Sequence, residues 1–146
     1  MRRIGPKSNG PQPGLTYTTC IVSKPRLLIA IVDDEESIRR ALQRLMVSIG
    51  MDAMIYPGGA EFLSSLATHR PDCVILDLHM PGMGGFEVQE ALLRIGQPVP
   101  VIAITGHDAP GTEARARSSG FASYLRKPVT AKVLTEAIEQ AIAHAA

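Results

Sequence analysis

Apolar residues along this chain alternate between two periods. Residues 27–32 form a short run rich in β-branched side chains, of the kind that makes a buried strand. Ile38, Ala41, Leu42, Leu45, Met46 and Ile49 then follow the i, i+3, i+4, i+7 spacing of one helix face. Gly50 is placed to end that helix. Residues 51–56 are a second strand candidate. Gly58 and Gly59 lead into a helix with Phe62, Leu63, Leu66 and Ala67 inward, stopped by Pro71. Residues 73–76 read as a third strand and 81–85 as a loop. Val88, Ala91, Leu92 and Ile95 mark the next helix face, closed by Gly96. A fourth strand is expected over 99–104, and a weak polar helix over 110–119. A short fifth strand covers 122–125. Thr130 can cap a final helix with Val133, Leu134, Ala137, Ile138, Ala141 and Ile142 inward.

Five strand-then-helix repeats predict an α/β fold, a doubly wound parallel sheet with helices on both faces. The central strands must then be apolar on both faces, as residues 29–32, 74–76 and 101–104 are. Right-handed crossovers leave few topologies, and in each of them a ligand binds beyond the carboxyl ends of the strands. Strand one ends in Asp33, Asp34, Glu35 and Glu36. Strand three ends in Asp77, strand four in Thr105 and Gly106, and strand five near Lys127 and Pro128.

Clustered carboxylates raise one another's pKa unless a cation intervenes. A hard oxygen cage with few protein ligands suits Mg²⁺, which keeps several waters and accepts phosphate oxygens. A lysine adds a point charge for a phosphoryl group, and a threonine hydroxyl adds a directional donor. The set suits the binding or receipt of phosphate, with Asp77 as a carboxylate nucleophile. Taken singly, each residue has a plainer role. Acids at 33–36 favour the positive end of a helix dipole, and Thr105 and Lys127 are ordinary turn and surface residues. Their joint placement at four strand ends reverses that reading. A dinucleotide or flavin loop is excluded, because four acids stand where glycines or hydroxyls would have to meet phosphate.

The 146 residues amount to one ordinary domain with a formal net charge of +1. That total argues against a broad polyanion-binding surface. It also hides an asymmetry. Residues 1–26 hold Arg2, Arg3, Lys7, Lys24 and Arg26 and no acid, whereas the remainder is mildly acidic. The first 26 residues also carry Pro6, Pro11, Pro13, Pro25, Gly5, Gly10 and Gly14, which resist regular structure. They read as a flexible basic arm, with the folded domain over 27–146. Cys20 and Cys73 form no CxxC or Cys/His cluster, so zinc is not indicated by cysteine spacing, and Cys73 reads as a buried small hydrophobe. The N-terminus lacks a continuous apolar core of signal-peptide type, and no apolar run is long enough to span a membrane. A cytoplasmic protein is expected.

Four segments carry a family resemblance: the acid pair in IVDDEE, then VILDLHMPGMGG, IAITGH and YLRKP. In this order and spacing, residues 26–146 resemble the receiver domain of two-component response regulators. The resemblance implies a flavodoxin-like sheet of order 2-1-3-4-5 flanked by five helices. It implies that Asp77 accepts a phosphoryl group from a histidine kinase or a histidine phosphotransfer protein. Asp34 and Asp77 would hold Mg²⁺ (or Mn²⁺) through their side chains, His79 through its backbone carbonyl, and Asp33 through a water. Lys127 would pair with the phosphoryl group and Thr105 would hydrogen-bond it. Tyr124 matches the switch aromatic, and the Lys127–Pro128 bond would be cis.

His79 and His107 flank the phosphoryl position in this family, and TGH resembles receivers of rhizobial nitrogen-fixation regulators. One or both histidines are expected to tune phosphoryl lifetime and make it depend on pH. The output is expected through protein contacts on the fourth helix, fifth strand and fifth helix, with no direct nucleic-acid or membrane partner. Phosphorylation-linked homodimerisation is a further option. Such a chain is a phosphoacceptor with self-catalysed transfer and hydrolysis, not a conventional turnover enzyme. The alternative is a phosphatase resembling the haloacid dehalogenase superfamily. Its first motif wants an aspartate two residues after the nucleophile, where this chain has His79, and its paired acids follow the nucleophile instead of preceding it.

Overall fold

In the computed structural model, residues 26–145 are described. The expected arm, including Cys20, lies outside the described residues except for Arg26. The elements run β1 (Leu28–Val32), α1 (Glu36–Ser48), β2 (Asp52–Tyr56), α2 (Gly59–Ser65), β3 (Cys73–Asp77), α3 (Gly85–Ile95), β4 (Val101–Thr105), α4 (Thr112–Ser118), β5 (Ser123–Arg126) and α5 (Ala131–Ala145). The five strands form one parallel sheet in the order β2-β1-β3-β4-β5. This is the flavodoxin-like order that the resemblance implies. No helix of the described residues is long and apolar enough to cross a membrane.

Strand side chains alternate between the two faces, so each strand feeds two cores. Ile29, Ile31, Cys73, Ile75, Ile102 and Ile104 pack with Leu42 and Met46 of α1 and Leu134, Ile138 and Ala141 of α5. Ala30, Val32, Val74, Leu76, Val101 and Ala103 pack with Phe62, Leu66, Val88, Leu92 and Phe121 on the other face. Burial on both sides explains why β1, β3 and β4 read as unbroken apolar runs. Cys73 is one of these fully buried groups, and burial pushes its thiol up to about 12.

The helix ends follow the local chemistry. Gly96 closes α3 at φ 75°, where a side chain would be strained. The Val133 backbone N–H donates to the Thr130 hydroxyl at 3.3 Å, giving α5 its expected cap. The Lys127–Pro128 bond is cis. Four positions read as core-facing are exposed. Ala41 and Ala67 are exposed, and Ile95 and Val133 are 50% and 44% exposed. Val133 sits about 90° from the centre of the Leu134–Ala137–Ile138–Ala141 stripe, at its solvent edge. Ile95 is the last residue of α3, and Ala67 falls beyond the end of α2.

Candidate functional site

Parallel register brings the strand ends to one rim. Val32 pairs with Leu76, Asp77 with Ile104, and Thr105 with Arg126. Asp33 follows directly on β1, and Lys127 on β5. Residues far apart in sequence therefore meet at one end of the sheet.

Asp33 is fully buried and its carboxylate is used on both oxygens. Oδ1 accepts the Glu35 backbone N–H at 2.9 Å, and Oδ2 accepts Lys127 Nζ at 2.9 Å. The Arg39 guanidinium donates to the Asp33 carbonyl at 2.7 Å, which braces the start of α1 against the site. Asp77 is 3% exposed, and its Oδ1 accepts the His79 backbone N–H at 3.2 Å. Lys127 Nζ lies 3.7 Å from Asp77 Oδ2 and 3.9 Å from Glu35 Oε1. One ammonium group thus faces three carboxylates.

The balance does not neutralise Asp77. Burial, then the charge of Asp33, push its carboxyl up to about 6, against the His79 N–H and Lys127, which favour the ionised form. For Lys127, burial works against the charge, but the hydrogen bond to Asp33 and the charges of Asp77, Asp33 and Glu35 outweigh it and hold the pKa above its ordinary value. Asp33, Asp34 and Asp77 each offer a carboxylate oxygen, all within 4.8 Å of one another. Three convergent oxygens around a buried, raised carboxyl suit a hard divalent cation, which would relieve the crowding. Asp34, Glu35, Asp77, His79, His107 and Lys127 line a cleft of about 320 Å³ open to solvent.

Thr105 is 1% exposed, and its hydroxyl is turned to the following loop. It donates to the His107 carbonyl at 3.1 Å and accepts the His107 N–H at 2.9 Å. The next residue, Asp108, accepts the Tyr124 hydroxyl at 2.7 Å and Arg126 Nε at 2.5 Å. Arg126 also donates to Glu113 of α4 at 2.9 Å, and Glu113 accepts Arg117 at 2.7 Å. Thr105, the loop, Tyr124 and α4 are therefore joined by one run of bonds. Burial, then the Asp108 carboxylate, push the Tyr124 phenol up to about 12. Asp108→Ala is expected to bring that ionisation down toward the ordinary tyrosine value, read by ultraviolet titration at alkaline pH. An unchanged titration would show that Asp108 does not hold the ring.

The structure brings Asp33, Asp34, Asp77, His79, His107 and Lys127 together, with Thr105 behind the rim and Tyr124 beyond it. Sequence reasoning missed three contributors: Glu35 as a third partner of Lys127, Arg39 as a brace, and the Asp108–Arg126–Glu113 network. Glu35 shows in the sequence only as one of four acids after strand one, and nothing local marks the others, since each works through a partner distant in sequence or on the far side of a turn.

The chain matches the model of the response regulator receiver domain over residues 29–139. It belongs to that family. It is 33% identical to nodulation protein W of Bradyrhizobium diazoefficiens over 114 residues, covering 77% of this chain and 50% of that protein. It is also 33% identical to the DNA-binding transcriptional regulator NtrC of Escherichia coli, over 82% of this chain and 25% of that protein. A crystal structure of a response regulator receiver protein from Burkholderia phymatum is similar, with 41% identity and TM-score 0.73 over 81% of this chain and 96% of that one. The receiver chain spans half or less of the length of these two curated relatives. As a receiver domain it is a module of two-component response regulators.

Proposed function

We propose that this receiver is a phosphorylation-dependent switch in which Asp77 takes a phosphoryl group from the phosphohistidine of a histidine kinase or phosphotransfer protein. The observation that carries this reading is the placement of Asp77: a buried carboxylate ending β3, beside Lys127 and at the wall of an open cleft. An Asp77 carboxylate oxygen forms the new P–O bond. The P–N bond of the donor breaks, and the released imidazole takes up a proton. Phosphoryl transfer depends on positioning and charge neutralisation more than on acid–base chemistry. Lys127 is placed to move from Asp33 toward the transferred group. Thr105 can turn its single hydroxyl hydrogen from the His107 carbonyl to a phosphoryl oxygen. Asp34 and Asp77 would hold Mg²⁺ or Mn²⁺ through their side chains, Asp33 through a water, and His79 through its carbonyl. When bound, that ion supplies charge neutralisation for the carboxylates and the incoming phosphoryl oxygens.

Withdrawal of the Thr105 hydroxyl loosens its hold on His107, one residue before Asp108. The change can then reach Tyr124 and α4, so the surface of α4, β5 and α5 is the proposed output face for a downstream protein. An apolar groove of about 370 Å³ beside Ile38, Leu42, Pro128 and Val129 shares Lys127 with the cleft.

The test is incubation with Mg²⁺ and a small phosphodonor, followed by intact mass. One phosphate per chain is expected on the wild type and none on Asp77→Asn. No adduct with any donor would reduce the protein to a binding module. Steady turnover of a phosphomonoester would favour a phosphatase. His79 and His107 stand at the mouth of the cleft, where they can screen the phosphoryl group from water. His107→Ala is expected to change the rate of phosphate loss and its profile between pH 6 and 8. Superimposable profiles would remove the histidines from this role.

A further inference from the structure

Taking the cleft as a Mg²⁺ site, as the proposed function does, we infer that Gly85 is a positioning residue for the ion. Its bare Cα lets the first turn of α3 rest on the Asp77–Leu78 backbone, and so sets the spacing between the Asp77 carboxylate and the His79 carbonyl. A methyl group on Gly85 would lie 2.8 Å from the Asp77 carbonyl oxygen, 2.8 Å from Leu78 Cα and 2.8 Å from Leu78 Cδ2. Carbon atoms pack best at about 3.5–4.0 Å, so helix and loop would have to part by roughly half an ångström or more. Two of the three contacts are backbone atoms, which have no rotamer to give way. Conformational freedom is not what the position needs. Gly85 is the first residue of α3 and its φ is not positive, and in such a place alanine is the better helix former. Space alone calls for glycine.

Leu78 stands between the two proposed ligand residues and is held on three sides. Its N–H donates to the Ile104 carbonyl at 3.0 Å, and its carbonyl accepts the Gly85 N–H at 3.2 Å. Its side chain is buried in the core under α3. A push from α3 therefore passes to residues 77 and 79. Those two are themselves coupled, since the His79 N–H donates to Asp77 Oδ1 at 3.2 Å. Two other glycines lack this property. A methyl group on Gly84 would lie 3.5 Å from the Leu78 carbonyl oxygen and 3.7 Å from Glu87 Oε1, both ordinary contacts. One on Gly59 would be crowded, but its nearest neighbours are side-chain atoms, Val88 Cγ2 at 2.4 Å and Met83 Sδ at 2.9 Å.

The two common hard cations respond differently to a displaced ligand. Mg²⁺ demands near-ideal octahedral geometry at about 2.0–2.1 Å, whereas Ca²⁺ accepts flexible coordination at about 2.3–2.6 Å. A shift of the Asp77–His79 backbone penalises Mg²⁺ more than Ca²⁺. Gly85 thereby acts on which ion the cleft prefers, without touching that ion.

The experiment is calorimetric titration of the full chain with Mg²⁺ and with Ca²⁺, for the wild type, Gly85→Ala, Gly84→Ala and Gly59→Ala. Gly85→Ala is expected to lose roughly 10–100-fold in Mg²⁺ affinity and less in Ca²⁺ affinity, so that the Mg²⁺/Ca²⁺ ratio falls. Gly59→Ala is expected to lower the thermal midpoint in chelator with the ratio unchanged, and Gly84→Ala to leave both near wild type. A wild-type ratio in Gly85→Ala, or an equal fall in Gly59→Ala, would overturn the role, because lost packing alone moves stability and not ion preference. A second measurement uses the wild type only. An ion held through the Gly85 contact must tighten that contact in turn. Saturating Mg²⁺ is therefore expected to slow hydrogen exchange of the Gly85 amide more than that of the Gly96 amide at the far end of α3, and equal slowing would count against the role. A wild type that binds no Mg²⁺ would remove the metal reading and this role together. A wild type that binds it, beside an unaltered Gly85→Ala, would remove the role alone.

Discussion

Asp77→Asn is expected to stabilise the metal-free protein by about 3 kcal/mol near neutral pH, a rise of roughly 10 °C in thermal midpoint. The reason is the cost of keeping a charge at this position. Burial and the Asp33 carboxylate lift the Asp77 pKa from 3.8 to about 6. Its folded-state value therefore lies above its unfolded value. For such a group, the stability it contributes is complete below the unfolded value and is lost as pH rises through the folded one. Wild type and variant should be nearly equal below about pH 4, diverge between about pH 4 and 6, and keep a constant gap above that. Asparagine is neutral throughout and can still accept the His79 N–H. Thermal denaturation in chelator across this range checks the prediction. Equal midpoints near neutrality would mean that Asp77 is not held in a destabilised state. Mg²⁺ should narrow the gap, since it stabilises the ionised wild type more than the variant.

Lys127→Met should have the opposite effect and nearly the same size. Lys127 Nζ bonds the fully buried Asp33 carboxylate and faces Asp77 and Glu35. Methionine keeps the packing of the stem and removes the charge. Loss of one partner from a buried pair costs about 3–5 kcal/mol, because the other charge is left uncompensated. The Lys127 pKa is raised, so its stabilising contribution is complete below its ordinary value of 10.5 and fades only as pH rises through the folded value. The loss in the variant should therefore be full near neutrality and shrink below about pH 6, as Asp77 takes up a proton. The same lysine occupies the Asp33 oxygen and must be displaced by any divalent ion. Lys127→Met should thus bind Mg²⁺ on the order of tenfold more tightly, a change of about 1.4 kcal/mol. Urea denaturation and Mg²⁺ titration test the two halves separately. Unchanged or weaker Mg²⁺ binding would show that the lysine and the cation do not compete.

Both predictions turn on residues that stood out in the chain itself. Asp77 is legible because an acid ending a buried run needs a reason, and Lys127 only through its joint placement with the aspartates and Thr105 at the strand ends. The alternation of strand and helix periods is equally plain, since β1, β3 and β4 are buried on both faces and stay apolar until the rim, where β3 ends in Asp77 and β4 in Thr105. Strand boundaries moved by a residue or two. β4 runs to Thr105 and β5 to Arg126, because backbone pairing with a neighbour extends a strand past its last apolar side chain. Val133 and Ile95 misled because apolar character marks a helix face without saying where that face runs out.

A doubly wound α/β domain with three aspartates, a threonine and a lysine at its strand ends is readable from the chain alone. Those features rest on local periodicity and on residue chemistry, and neither needs a partner to be seen. How that chemistry is shared depends on the folded arrangement. It gave Lys127 to Asp33 at 2.9 Å and left it 3.7 Å from Asp77, turned Thr105 toward His107, and set Asp108 between Tyr124 and Arg126. It also placed two imidazoles 28 positions apart within 5.2 Å. Electrostatic and hydrogen-bond energies depend on distances of a few ångströms and on burial, and both are set by parallel strand register between segments remote in the chain.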